Sequence, residues 1–226
     1  LDVSNNIALT SLYVDRNNLT SLNVSANTAL EVLKCENNQL TSLNMRNGIT
    51  DSLTTINTTN NPDLTCIETL DPDYATENWT NSNGNIDEGV TFSFICGPED
   101  QDVWHVATSG SDGGAGTQES PFATIQMGIN VAGNGNTVHV TAGTYMEKIS
   151  YGGKSISITG EDRETTIVDA DSSGRPFTFD GDDQHTITLS GFTFTNGNSG
   201  QGGGIYINNG LDIDLSNLII TGNTGG

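Results

Sequence analysis

The chain has 226 residues, of which 28 are acidic and seven basic, for a formal net charge of −21. Phosphate binding needs clustered Lys and Arg, so this balance excludes nucleic acid as a partner and disfavours docking on anionic lipid. Hydrophobic residues make up 33% and aromatics 6%, too little for one large globular core, and no apolar run reaches the roughly 18 residues of a membrane-spanning helix.

Residues 1–64 repeat with a 21-residue offset: Leu1-Asp2-Val3, Leu22-Asn23-Val24 and Leu43-Asn44-Met45 are in register, as are Leu12-Tyr13-Val14 and Leu33-Lys34-Cys35. A fixed short period implies stacked units that each touch only their neighbours. In Leu12-x-Val14-x-x-Asn17-x-Leu19 and Leu33-x-Cys35-x-x-Asn38-x-Leu40, apolar residues alternate across a short strand before the chain turns. The Asn sits where its amide can bond the backbone of adjacent turns, and Asn61 holds the same place in the last, lengthened unit. Cys35 takes the slot of Val14, an inward position, which predicts a buried free thiol. By alternation, Tyr13, Asp15, Lys34 and Glu36 are the candidate exposed binding residues; the competing reading is that they are ordinary solvated side chains. The pattern resembles the leucine-rich repeat L-x-x-L-x-L-x-x-N-x-L, in particular the short, Asn-rich repeats of secreted bacterial proteins. That resemblance covers residues 1 to about 70 and implies parallel strands lining a face that binds protein or glycan.

Cys66 and Cys96 bracket a segment, 71–97, that fits neither repeat. A disulfide closing the span would stabilise it by about 3–4 kcal/mol on the loop-entropy argument and would place the chain in an oxidising compartment. Trp79, Ile86, Val90, Phe92 and Phe94 can cover the open end of the apolar stack, whose exposed edge would otherwise invite aggregation. The segment resembles the disulfide-bonded C-terminal cap that follows such repeats. Trp79 has a second reading, as a platform for stacking a sugar.

A polar linker, 98–102, leads to a strand at Trp104–Ala107 and a Gly/Ser loop. Ser120-Pro121 reads as a helix start, with Phe122, Ile125, Ile129 and Ala132 on one face until Gly133 ends it. Strand-like runs follow at 137–141, 155–159, 166–168, 177–179, 186–189, 192–194, 204–207, 211–215 and 218–220. Leu189-Ser190-Gly191-Phe192-Thr193-Phe194-Thr195-Asn196-Gly197-Asn198 matches Leu215-Ser216-Asn217-Leu218-Ile219-Ile220-Thr221-Gly222-Asn223-Thr224 at an offset of 26. That length, without helical periodicity, suits one three-sided coil of a right-handed parallel β-helix. The stretch from Val106 to Glu161, with its helix followed by "TVHVTAGTY", resembles the opening of the pectin-lyase-like β-helix superfamily, in which a short amphipathic helix plugs the first coil. The resemblance implies a fold and leaves the activity open, since lyases, hydrolases and non-catalytic surface proteins share it.

No catalytic residue is assigned. Lyases of this superfamily use a Lys or Arg base beside Ca²⁺-holding carboxylates, whereas residues 103–226 carry only Lys148, Lys154, Arg163 and Arg175, outside any such signature. Carboxylate pairs for hydrolysis could come from the "DGDD" stretch or from Asp212 and Asp214, although the first sits naturally in a turn and the second on a solvent face. A Ca²⁺ cluster, the one cofactor considered, is best sought among Asp169, Asp171, Asp180, Asp182 and Asp183, with Asp112 as a second candidate. His105, His139 and His185 are far apart in sequence and show no ligand spacing.

The expected fold is mainly β, two solenoids in tandem: leucine-rich repeats (1–70), a disulfide cap (71–97), a linker (98–102) and the incomplete start of a right-handed parallel β-helix with an N-terminal capping helix (103–226). The chain opens inside one repeat and stops inside another, so a fragment of a longer protein is expected. The expected function is non-catalytic adhesion or recognition of a glycan or protein by a secreted or cell-surface bacterial protein. Two alternatives stand beside it: a polysaccharide lyase or glycoside hydrolase with its site in later coils, and a cargo or interaction module of a secretion or surface assembly.

Overall fold

Short strands with one or two inward side chains each recur along the first part of the chain, and the structure, a computed structural model describing residues 1–96, 101–180, 185–208 and 212–225, pairs them all in parallel. The chain divides into two compact units, Leu1–Pro98 and Glu99–Gly226.

In the first unit the strands are β1 (Ser11–Tyr13), β2 (Ser21–Asn23), β3 (Val32–Lys34), β4 (Ser42–Met45), β5 (Thr55–Asn57) and β6 (Cys66–Thr69), followed by helix α1 (Pro72–Asn78) and β7 (Thr91–Ser93). They form two sheets, β1-β3-β5 and β2-β4-β6-β7. Leu12 is opposite Leu33 and Leu33 opposite Ile56; Leu22 is opposite Leu43, then Ile67, then Phe92. The 21-residue repeat is therefore the pairing offset of the first turns, and each turn supplies a strand to both sheets rather than to one. Between the sheets lie Leu22, Leu33, Cys35, Leu40, Leu43, Met45 and Ile67, each at most 2% exposed.

Asparagine amides hold the turns together. Asn38 accepts from Leu19 N at 3.0 Å and donates to Val14 O and Cys35 O. Asn61 repeats this one turn on, accepting from Leu40 N and donating to Cys35 O and Thr58 O. The residues just before these amides, Arg16, Asn37 and Asn60, have φ of 54°, 56° and 57°, the left-handed corner that Asn tolerates better than most side chains. After β6 the disulfide Cys66–Cys96 closes the segment, with Cα atoms 5.8 Å apart. Helix α1 was not expected from the sequence. Its signal is Asp71-Pro72: the Asp71 carboxylate accepts from Tyr74 N at 3.0 Å, and Pro opens the first turn. Trp79 and Ile86 are buried, with Val90 and Phe92 packed beside them, and Trp79 meets Phe92 edge-on at 5.7 Å.

The second unit comprises β8 (Val103–Val106), α2 (Ile125–Val131), β9 (Thr137–Val140), β10 (Gly143–Met146), β11 (Ile149–Ser150), β12 (Ser157–Gly160), β13 (Thr166–Asp169), β14 (Phe177–Asp180), β15 (Thr186–Thr195), β16 (Ile205–Asn208) and β17 (Asp212–Ile220). One sheet runs β10-β13-β15-β12-β9-β8, with β17 also on β15; the other is β11-β14-β16. Strand β15 joins two expected runs: its first half pairs with β12 and its second with β13. It passes from one to the other at Gly191, where φ is 82° and the backbone lies against Gly160. The 26-residue repeat is again a spatial register, Leu189 opposite Leu215 and Phe194 opposite Ile220. Inside, Tyr151, Phe177, Phe179, Phe192 and Phe194 are each at most 1% exposed and pack with ring centroids from 4.7 Å (Phe177–Phe179) to 5.8 Å (Tyr151–Phe179) apart.

The helix starts later than the sequence suggests. Phe122 N donates to His105 O and Phe122 O accepts from Ala107 N, so Phe122 extends along β8 instead of entering a helix. Thr124 takes the N-cap, accepting from Met127 N. The Asp112 carboxylate secures this start through Ala123 N, Thr124 N and the Thr124 hydroxyl. Strands β10 and β11 were also absent from the sequence reading; each is short and buries a single side chain, Tyr145 or Ile149, too little for a visible alternation.

Candidate functional site

Strands β1, β3 and β5 carry an outward row, Tyr13 opposite Lys34 and Lys34 opposite Asn57. Tyr13 is 60% exposed, and the Lys34 ammonium stands 5.7 Å from its ring centroid, a contact worth about 0.5–1 kcal/mol at an exposed site. Val14 N donates to Lys34 O and Arg16 N to Glu36 O, so the turns bearing Asp15 and Glu36 continue the same patch. Asp15 pairs with the Arg16 guanidinium at 3.4 Å, an exposed contact that solvent screens. Glu36 is half-buried beside Cys35. Burial first, and the Glu36 charge second, push the Cys35 thiol up to about 12, so it is a packing residue and no nucleophile. Of the four residues expected by alternation to be exposed, only Tyr13 is; Lys34 stands beside its ring, Asp15 and Glu36 are half-buried in the turns that follow, and one Glu36 carboxylate oxygen is fully buried.

Among the described residues the acidic candidates of the second unit do not form a cluster. Asp112 is committed to the start of α2. Asp169 accepts from Asp171 N at 2.8 Å and from Asn196 Nδ2 at 2.8 Å, and Asp171 occupies a left-handed turn with φ of 49°. Asp182, Asp183 and the side chain of Asp180 lie outside the described residues. Among the described residues no group of three or more His, Cys, Asp or Glu is placed to hold a metal ion. Asp212 and Asp214 are exposed on β17, opposite Thr186 and Thr188.

Three charged arrangements were not legible in the sequence. Arg46, 5% exposed, pairs with Glu68 at 3.1 Å, and the other Glu68 oxygen accepts from Cys96 N, tying β4 and β6 to the disulfide. Glu147 accepts from Ile125 N and Gln126 N at the start of α2; desolvation raises its pKa against the pull of those two amides, with the Asp112 charge adding to the rise. Lys154 donates to Ile129 O and Asn130 O at the other end of the helix, and burial lowers its pKa. His105 and His139, far apart in sequence, are opposite each other on β8 and β9. The signal was the parallel between Val103-Trp104-His105-Val106 and Thr137-Val138-His139-Val140, each with His between two inward residues.

Residues 108–175, from the loop after β8 through β13, match a family described as a protein of unknown function (DUF1565), which is associated with β-helix proteins. No curated protein and no solved structure matches the chain. No helix among the described residues is long and apolar enough to cross a membrane.

Proposed function

We propose that the protein is an extracytoplasmic, non-catalytic recognition or adhesion molecule that binds a glycan or protein through the outward row of β1, β3 and β5. The first unit is read as a leucine-rich-repeat array of the secreted bacterial type, supported by its Asn ladder and 21-residue register. The second is read as the opening coils of a right-handed, pectin-lyase-like β-helix with α2 closing its end, supported by the family match and the β15–β17 register. The disulfide supports an oxidising compartment.

One observation carries the functional reading: an exposed Tyr13 ring with the Lys34 ammonium beside it and Asp15 in the turn that follows. An aromatic face stacks on the C–H face of a sugar or on an apolar side chain, and carboxylates at its border accept hydroxyl or amide hydrogens. The test is a glycan array and cell-binding assay with the wild-type chain and Tyr13→Ala. The expected result is binding that drops at least tenfold in the variant while its thermal midpoint stays unchanged. Absence of binding, together with cleavage of uronate polymers to products with new ultraviolet absorbance, would replace this reading with a polysaccharide lyase.

A further inference from the structure

We propose that His105 and His139 form a site for an imidazole-preferring divalent transition-metal ion, of the Zn²⁺, Ni²⁺ and Cu²⁺ class, on the outer face of the second unit. The two residues are direct partners on parallel strands β8 and β9. Each is flanked by inward side chains, Trp104 and Val106 on one strand and Val138 and Val140 on the other, all buried, so both imidazoles emerge on the same face. Their ring centroids are 5.7 Å apart with planes at 78°. Two imidazoles on one tetrahedral ion, with metal–nitrogen bonds of ~2.0 Å, place their centroids about 5 Å apart. A small side-chain rotation therefore brings both nitrogens onto one ion, and waters fill the remaining positions.

The surroundings favour a cation. The free edge of β8 is covered by the loop that follows it: His105 N donates to Gly116 O at 2.8 Å, and Phe122 N donates to His105 O at 2.9 Å. That loop carries Glu119, whose charge acts on the His105 ring. On the far side of His139 the row continues with Thr159 and Ser190, which bring no charge. Burial, then the neighbouring His139, hold His105 below the usual imidazole range, with Glu119 pulling the other way. Hard cations choose oxygen ligands, so Ca²⁺ and Mg²⁺ are excluded from this pair even on a chain of net charge −21. The site lies in the other unit from the recognition face, and neither reading depends on the other.

The test is calorimetric titration of the full chain with Zn²⁺ in excess Ca²⁺, alongside histidine ring-proton NMR. The chain has three histidines. One equivalent should bind, with the resonances of His105 and His139 moving and that of His185 staying in place. His105→Asn and His139→Asn should each weaken binding at least tenfold while keeping the wild-type thermal midpoint. No binding in excess Ca²⁺, equal shifts at all three histidines, or unchanged affinity in both variants would overturn the proposal. Should either variant fold poorly, the wild-type spectrum decides alone.

Discussion

Replacing Asn61 by Ala tests whether the amide ladder holds the first unit together. Asn61 is fully buried, and its side chain makes three hydrogen bonds: from Leu40 N at 3.0 Å, to Cys35 O at 3.1 Å and to Thr58 O at 2.7 Å. The Cys35 carbonyl keeps a second donor in Asn38, so the loss falls mainly on the Leu40 amide and the Thr58 carbonyl. At about 1–3 kcal/mol for each buried group left unpaired, the expected cost is about 2–6 kcal/mol, a large part of the ~5–15 kcal/mol stability of a typical domain. Asn17 occupies the same repeat position but is exposed, and its amide bonds only Val14 O and Asp15 O within its own turn. Asn17→Ala should therefore cost less than about 1 kcal/mol. Asn61→Asp should cost at least as much as the Ala change, since a carboxylate offers no hydrogen to the two carbonyls. Denaturant unfolding in a Trp104→Phe background leaves Trp79 as the fluorescent reporter of the first unit. Equal costs at Asn17 and Asn61, or an Asn61→Ala cost under about 1 kcal/mol, would refute the ladder argument.

The disulfide joins residues 30 apart, so the double change Cys66→Ser/Cys96→Ser should destabilise the first unit by about 3–4 kcal/mol in the same unfolding assay. Thiol titration should find none reactive in the native chain, one after unfolding and three after unfolding with reductant, because Cys35 is buried and its thiol is held up to about 12. A Cβ at Gly191 would collide with the Gly160 carbonyl, and the residue sits at φ of 82°; Gly191→Ala should cost about 2–5 kcal/mol by thermal or chemical denaturation. Gly200→Ala, which meets nothing within 4 Å, should stay within about 0.5 kcal/mol. Glu147 has a folded pKa raised above its unfolded value, so its protonated form contributes stability that is fully present below the unfolded pKa and lost as pH rises through the folded one. The stability of wild type minus that of Glu147→Gln should accordingly fall from pH near 4 towards neutrality, and a rise in that quantity over the same window would contradict the burial argument. Asp112 faces the same helix start, so the comparison is made with Asp112 intact in both proteins.

Much of the fold was readable because in a stack of parallel turns the nearest neighbours in space are the equivalent residues one period away. Leu12 and Leu33, or Leu189 and Leu215, could be paired from their offsets alone. The same logic placed Asn38 and Asn61 at bonding positions and Tyr13 opposite Lys34, although alternation overstated the exposure of Asp15, Lys34 and Glu36. Where the local signal and the neighbouring strand disagreed, the sequence misled. Ser120-Pro121 is a sound helix start taken locally, yet the open edge of β8 captures Phe122 and moves the start to Thr124.

Periodicity by itself determined the parallel pairing, the inward residues and the buried Cys35, because a repeated side chain meets a repeated environment. Only the tertiary structure decided the rest: Arg46 against Glu68, and Asp112 and Glu147 at the start of α2. Those pairs join segments that do not repeat, and their meeting depends on how each loop between the turns runs back across the sheet.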